Sequence, residues 1–164
     1  MEQLGAWKEI LELIEEKVKA VETELEAAAP HGLLVGEGKL THELFNREMA
    51  DPRRFKNAKQ VGNYFGLCPS ESSSGESRWL GSITKHGNPR LRKLLVEMAW
   101  RMVIYQPQYR AVKKWGAIIR AKAGPMGMRK KAVVALARRL AVDLWRIATG
   151  RITAQELGFK MTPA

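Results

Sequence analysis

The stretch from Cys68 to Lys93, CPSESSSGESRWLGSITKHGNPRLRK, gathers residue types that phosphate chemistry needs. Ser72, Ser73 and Ser74 precede Gly75, and Arg78, Lys85, His86, Arg90 and Arg92 follow within eighteen residues of Ser74. A serine hydroxyl attacks phosphorus poorly unaided. It needs a group to take its proton and positive charge for the phosphoryl oxygens. Arg78, Lys85, Arg90 and Arg92 suit the second task, arginine through its bidentate fork. Asn88 followed by Pro89 starts a helix, whose first N–H groups point at any nearby anion. His86 suits a phosphate contact or a base. If one of these serines is a nucleophile, Ser74 is the first choice, because Gly75 beside it has no side chain to hold a phosphate backbone away; Ser73 is the alternate. Ser72, Ser77 and Ser82 are bystanders. By composition alone, Cys68–Ser77 reads as a flexible polar loop.

Elements on either side must position this stretch. Upstream, Val35–Met49 runs as a hydrophobic residue, then Gly36-x-Gly38, then a helix, the signature of a helix-hairpin-helix turn. Its glycines would admit a phosphate to a helix N-terminus. Asn57 and Gln60 form a capping-box-like pair ahead of a short helix that Gly66 stops. Arg78–Thr84 alternates enough for a strand or hairpin arm. Downstream, Leu91, Leu94, Leu95, Met98 and Met102 form one face of a helix. Tyr109, Val112, Trp115 or Gly116, and Ile119 point a second helix inward. Val133, Leu136, Leu140, Leu144 and Ile147 repeat along a third, which Gly150 caps, while Lys130, Lys131, Arg138, Arg139 and Arg146 decorate it.

The first 29 residues are different. Leu4, Trp7, Leu11, Ile14, Val18, Val21, Leu25 and Ala28 alternate spacings of three and four, an unbroken a/d heptad pattern ended by Pro30. This predicts self-association, a homodimer or higher oligomer through residues 4–28. Residues 1–30 carry three lysines and eight glutamates, a net of −5 within a chain total of +11, which leaves +16 on the rest. A body so basic suits a polyanion partner. No apolar run spans a membrane and no signal-peptide pattern opens the chain, so membrane partners are not expected and the cytoplasm is. Cys68, the lone cysteine, rules out an internal disulfide and reads as a buried structural thiol. With His31, His42 and His86 it shows no metal-ligand spacing.

The segment from Tyr64 to Trp100 resembles the C-terminal domain of IS116/IS902-type transposases, the insertion-sequence family numbered one hundred and ten. The motif residues are Gly66, Leu67 and Pro69; Ser74 and Gly75; Gly81, Ile83, Thr84, Lys85, Gly87 and Asn88; then Leu91 and Arg92. The likeness covers roughly residues 30–116 and is loose beyond Gly116. It implies a DNA transposase that forms a covalent serine–DNA intermediate and uses a bridge RNA as guide. It further implies an N-terminal RuvC-like domain with an acidic Mg2+ site, followed by a coiled coil. The nine acidic residues beyond the zipper are scattered, so no cofactor is expected on this chain, and Mg2+ only with that other domain. The expected architecture is mainly α. A coiled-coil helix at 1–29 precedes a compact helical domain at 30–158, with a helix-hairpin-helix-like turn and one small β-hairpin; 159–164 is a frayed tail.

Overall fold

The computed structural model describes residues 2–27, 32–74, 77–121 and 126–162, with side chains at 5–21, 23–24, 32–71, 81–121 and 127–162. Helix α1 spans Glu2–Ala27. Then come α2 (Lys39–Met49), a 3₁₀ turn at Pro52–Arg54, and α3 (Ala58–Tyr64). Strands β1 (Pro69–Ser74) and β2 (Ser77–Ile83) pair antiparallel, and α4 (Pro89–Tyr105), α5 (Arg110–Arg120) and α6 (Met126–Ala148) complete the fold. The body is mainly helical with one small two-stranded sheet.

Three helices carry the core. Leu91, Leu95, Met98 and Met102 of α4 are buried, as are Val112 and Ile119 of α5. Their common partner is α6, whose Ala132, Ala137 and Ala141 let neighbouring helices approach closely between Val133, Leu136 and Leu140. Leu144 and Ile147, expected inside, are only partly buried. Trp145 takes that place: it is buried, its indole N–H donates to the Pro52 carbonyl at 2.8 Å, and Arg151 lies 4.2 Å from its ring centroid.

Local chemistry sets the helix ends. Gln60 N–H donates to Asn57 Oδ1 (3.0 Å), and Gln60 Oε1 reaches back to Lys56 N–H (2.8 Å), which starts α3. Gly150, at φ +68°, ends α6: its N–H bonds the Ile147 carbonyl and that of Arg151 bonds Arg146, the paired bonds of a Schellman motif.

Two expectations need correction. Pro69–Ser74 is a strand rather than a loop. Serines have little strand preference of their own, and pairing with β2 overrides it. Residues 159–162 are not frayed. Phe159 is buried and stacks on Tyr109 at 4.1 Å between centroids, and Met161 bridges to Leu34. The buried Gln106 fixes this segment: its Nε2 donates to the Val35 and Lys160 carbonyls, and its Oε1 accepts from Lys160 N–H. A 26-residue helix, α1, precedes the Gly36–Gly38 turn.

Along α1, Trp7, Leu11, Ile14, Val18 and Val21 of the heptad stripe are all exposed by half or more. The body therefore does not cover this seam. Leu4, Leu25 and Ala28 of the same stripe lie outside the described side chains.

Candidate functional site: a serine hairpin on a basic body

The hairpin register pairs Ser73 with Arg78 and Ser74 with Ser77. Both candidate nucleophiles thus lie at the end of β1, in the last pairs of the ladder, with Arg78 opposite Ser73. Gly75 and Glu76, and the side chains of Ser72–Leu80, lie outside the described residues. Between Pro69↔Ile83 and Glu71↔Leu80 the register shifts, so β2 holds one extra residue. This bulge falls at Gly81–Ser82. Gly81 lies where any side chain would strike Ser70 Oγ, and that hydroxyl donates to the Ser82 carbonyl at 3.0 Å.

The hairpin stands on a crossing of two backbones. Gly66 (φ +64°) and Gly87 (φ +102°) face each other's segments: a Cβ on Gly66 would collide with the His86 carbonyl, and one on Gly87 with the Tyr64 carbonyl. Lys85 takes φ +57°, costly for a side chain of that kind. The strain is held by Thr84 N–H to Cys68 O (2.9 Å), Lys85 N–H to Gly66 O (3.2 Å), and Arg92 Nη1 to the carbonyls of Lys85 (3.0 Å) and Phe65 (3.4 Å). Asn88 caps α4 through Oδ1, which accepts from the N–H groups of Arg90 and Leu91. Its Nδ2 donates to Glu48 Oε2, and Glu48 Oε1 accepts from the Tyr64 hydroxyl.

The candidate residues therefore divide. Lys85, His86 and Arg90 are exposed around the α4 N-terminus, close to the hairpin. Arg92 and Asn88 make protein contacts that hold the base together. Gly36 and Gly38 do not join this cluster. Gly36, at φ +90°, lies where a Cβ would come 2.9 Å from Tyr105 Cβ, at the other end of α4, roughly 25 Å away along the helix. Gly38 is the N-cap of α2, next to Arg101 Nη1. The close approach these glycines permit at Gly36 is to protein.

Cys68 is buried against Gly62. Asp143 is buried too: its Oδ2 accepts from Tyr109 Oη and Arg139 Nε, both at 2.8 Å. Burial first, then the Asp143 charge, holds the Tyr109 hydroxyl protonated far above its ordinary range. Among the described residues no group of three His, Cys, Asp or Glu could hold a metal ion. None of its helices is long and apolar enough to cross a membrane. Sequence reasoning missed Lys59 on α3, which faces the α6 cations across a cleft. The signal was present as paired cations at 130–131 and 138–139, two turns apart on one helix.

A strongly basic helical body with a serine-rich hairpin standing on its surface is a suitable build for working on nucleic-acid strands. The family is specific: residues 34–114 match the transposase IS116/IS110/IS902 family, and the chain carries a DNA transposase domain of that family. A Sinorhizobium fredii protein named as a transposase, y4rJ, is 31% identical over 93% of this chain and 43% of its own length. The transposase for insertion sequence element IS1111A of Coxiella burnetii is 32% identical over 85% of this chain and 37% of its own. That for IS1328 of Yersinia enterocolitica is 29% identical over 86% and 41%. The chain thus spans less than half the length of these relatives. No solved structure matches it.

Proposed function

We propose that this domain supplies the serine nucleophile for DNA strand cleavage and exchange. Ser74 Oγ, or Ser73 Oγ as alternate, attacks a phosphodiester phosphorus. A phosphoserine ester forms, the P–O bond to one deoxyribose breaks, and the departing oxygen takes up a proton as a hydroxyl. The ester keeps the bond energy, so a second hydroxyl can reverse the step and rejoin strands without a nucleotide cofactor. Arg78, Lys85, His86 and Arg90 contact phosphates and offset the charge of the pentavalent state. The observation that carries this reading is the register: both serines sit at the tip of a hairpin, one of them opposite Arg78, on a base held by two crossing glycines and Arg92. A guide RNA is the second nucleic-acid partner, and the remainder of a longer transposase supplies the acidic metal site. The exposed seam of α1 pairs with its copy in a second chain.

The test is covalent capture of labelled DNA in a system reconstituted with a RuvC-like domain, metal and guide RNA. Ser74→Ala should abolish the adduct and leave nucleic-acid binding nearly intact; Ser73→Ala should be tolerated. A persistent adduct in the double variant would leave a second reading standing, a binding and dimerisation module with no chemistry of its own. The structural roles of Arg92 and Asn88 favour that reading, because they remove two candidates from the phosphate cluster. For α1, Ile14→Asp with Val18→Asp should reduce the species seen by light scattering, and a wild-type monomer at high concentration would remove the pairing.

A further inference from the structure

The hairpin's base forms one wall of a cleft of about 1290 Å³, and α3 and α6 form the others. Its charge is strongly one-sided. Lys59 enters from α3, and Lys130, Lys131 and Arg138 enter from α6; Glu71 is the one acid among the described lining residues. Among the described residues none forms an ion pair with Lys59, Lys130 or Lys131. Arg139 also lines the cleft, but its Nε is held by Asp143. Arg138 reaches its place over Gly62: a Cβ there would come 3.2 Å from Arg138 Nε and 2.9 Å from Cys68 Sγ. A glycine inside a helix is less favourable than an alanine. Here it leaves room for an arginine to cross α3.

The floor between these cations is apolar. Leu67, Ile83, Val134, Ala135 and Val142 line it, and Trp115 is half-buried at its side. Lys130–Lys131 and Arg138 lie about 12 Å apart along α6, with Val134 and Ala135 between them. A duplex offers phosphates outward and hides its base faces, so it would gain from the cations and nothing from the floor. An unpaired strand gains from both, phosphates on the rim and bases on the floor.

We propose that this cleft binds an unpaired DNA strand and delivers it along the hairpin base to the serine tip. The proposal rests on the reading of the hairpin as a DNA-cleaving element. DNA is the assigned strand because the cleft opens beside Pro69 and Ile83, the paired residues from which the serine strands project.

The test uses the full 164-residue chain and fluorescence anisotropy. The probes are a labelled oligothymidylate of roughly 15 nucleotides, an oligouridylate and a duplex of equal length, across a salt series. Lys59→Gln with Lys131→Gln should lower oligothymidylate affinity about tenfold and reduce the salt slope by about 1.4, two phosphates' worth on a single strand. Duplex affinity should change less than about threefold, since the duplex contacts the exposed cations outside the cleft. Ala135→Glu, a charge on the floor, should remove single-strand binding and spare duplex binding. Arg110→Gln with Lys113→Gln, on the exposed face of α5, should leave the single-strand preference unchanged. Equal losses on duplex and single strand, an unchanged slope, or a similar loss in the α5 variant would overturn the cleft assignment. So would tighter binding of oligouridylate than oligothymidylate. A wild-type chain that binds none of the probes would remove the DNA-processing reading as well, which separates the two failures.

Discussion

The two ends of α4 each carry a glycine motif with a phosphate-cradle look, and the structure uses them differently. At the N-terminal end, Gly87 lets the chain cross Tyr64, Asn88 caps the helix, and Lys85, His86 and Arg90 remain exposed. At the C-terminal end, Gly36 lets a turn press on Tyr105, and the nearby polar groups are consumed. Gln106 clamps Val35 and Lys160, while Glu37 Oε2 accepts from Leu34 N–H and Glu37 Oε1 bonds His42 Nδ1. The α4 dipole is positive at the first end and negative at the second, where the N-terminus of α2 at Gly38 offsets it. A glycine pattern marks where backbones come close. What decides whether an anion can join is the charge left over once the protein's own contacts are made.

The largest effects should come from the glycines, and they should be unequal. Gly87→Ala drives a methyl into a backbone carbonyl that cannot retreat, at φ +102°. It should cost about 3 kcal/mol or more, read as a fall in the denaturant midpoint. Gly36→Ala would bring a methyl 2.9 Å from Tyr105 Cβ, an atom that no rotamer change moves, a milder overlap than the one at Gly87. Its cost should be about 1–2 kcal/mol, mostly from the positive φ. Equal costs would show that Tyr105 is held as firmly as the Tyr64 backbone.

Lys85→Ala with Arg90→Ala should act on binding rather than folding. The slope of log affinity for duplex DNA against log salt should flatten by about 1.8, two phosphates at 0.9 each, with the unfolding midpoint nearly unchanged. Lys39→Ala at the far end of α4, beside Gly38, should leave the slope near its wild-type value. A comparable flattening there would erase the distinction between the two ends.

The smallest effect concerns pH. The Glu37 hydrogen bond raises the His42 pKa above its ordinary 6.5, against the opposing pull of burial. A folded pKa raised above the unfolded one gives stability that is full below about 6.5 and is lost as pH rises through the folded value. The turn at 34–42 should therefore loosen as pH climbs from mildly acidic to alkaline, seen as faster amide exchange at Leu34. His42→Gln should flatten that dependence.

Local signals were legible in the sequence and distant ones were not. Asn57, Asn88, Pro89 and Gly150 mark helix ends through bonds to residues within four or five positions, so their types alone reveal them. The strand at Pro69–Ser74 was hidden because serine prefers turns and only its partner strand makes it a strand. Lys85 at positive φ could not be read either, since the constraint comes from Gly66 and Arg92. The same holds for Arg92 itself, a cation by composition and a backbone clamp by position. Of the candidate site, the basic set Lys85, His86 and Arg90 could be proposed from types and spacing, whereas the choice of the serines as nucleophiles needed the family resemblance. The separation of Gly36 and Gly38 from them depends on the length of α4.

The clasp that ties Leu33 to Thr162 joins residues 129 apart in the chain. Bringing such distant partners together costs loop-closure entropy, and no contact within the clasp offsets it until both sides are present. During synthesis the Gln106 amide emerges long before Lys160 does. Lys160 is thus the residue that closes this clamp, and a chain without it would carry a buried amide with two of its three bonds missing.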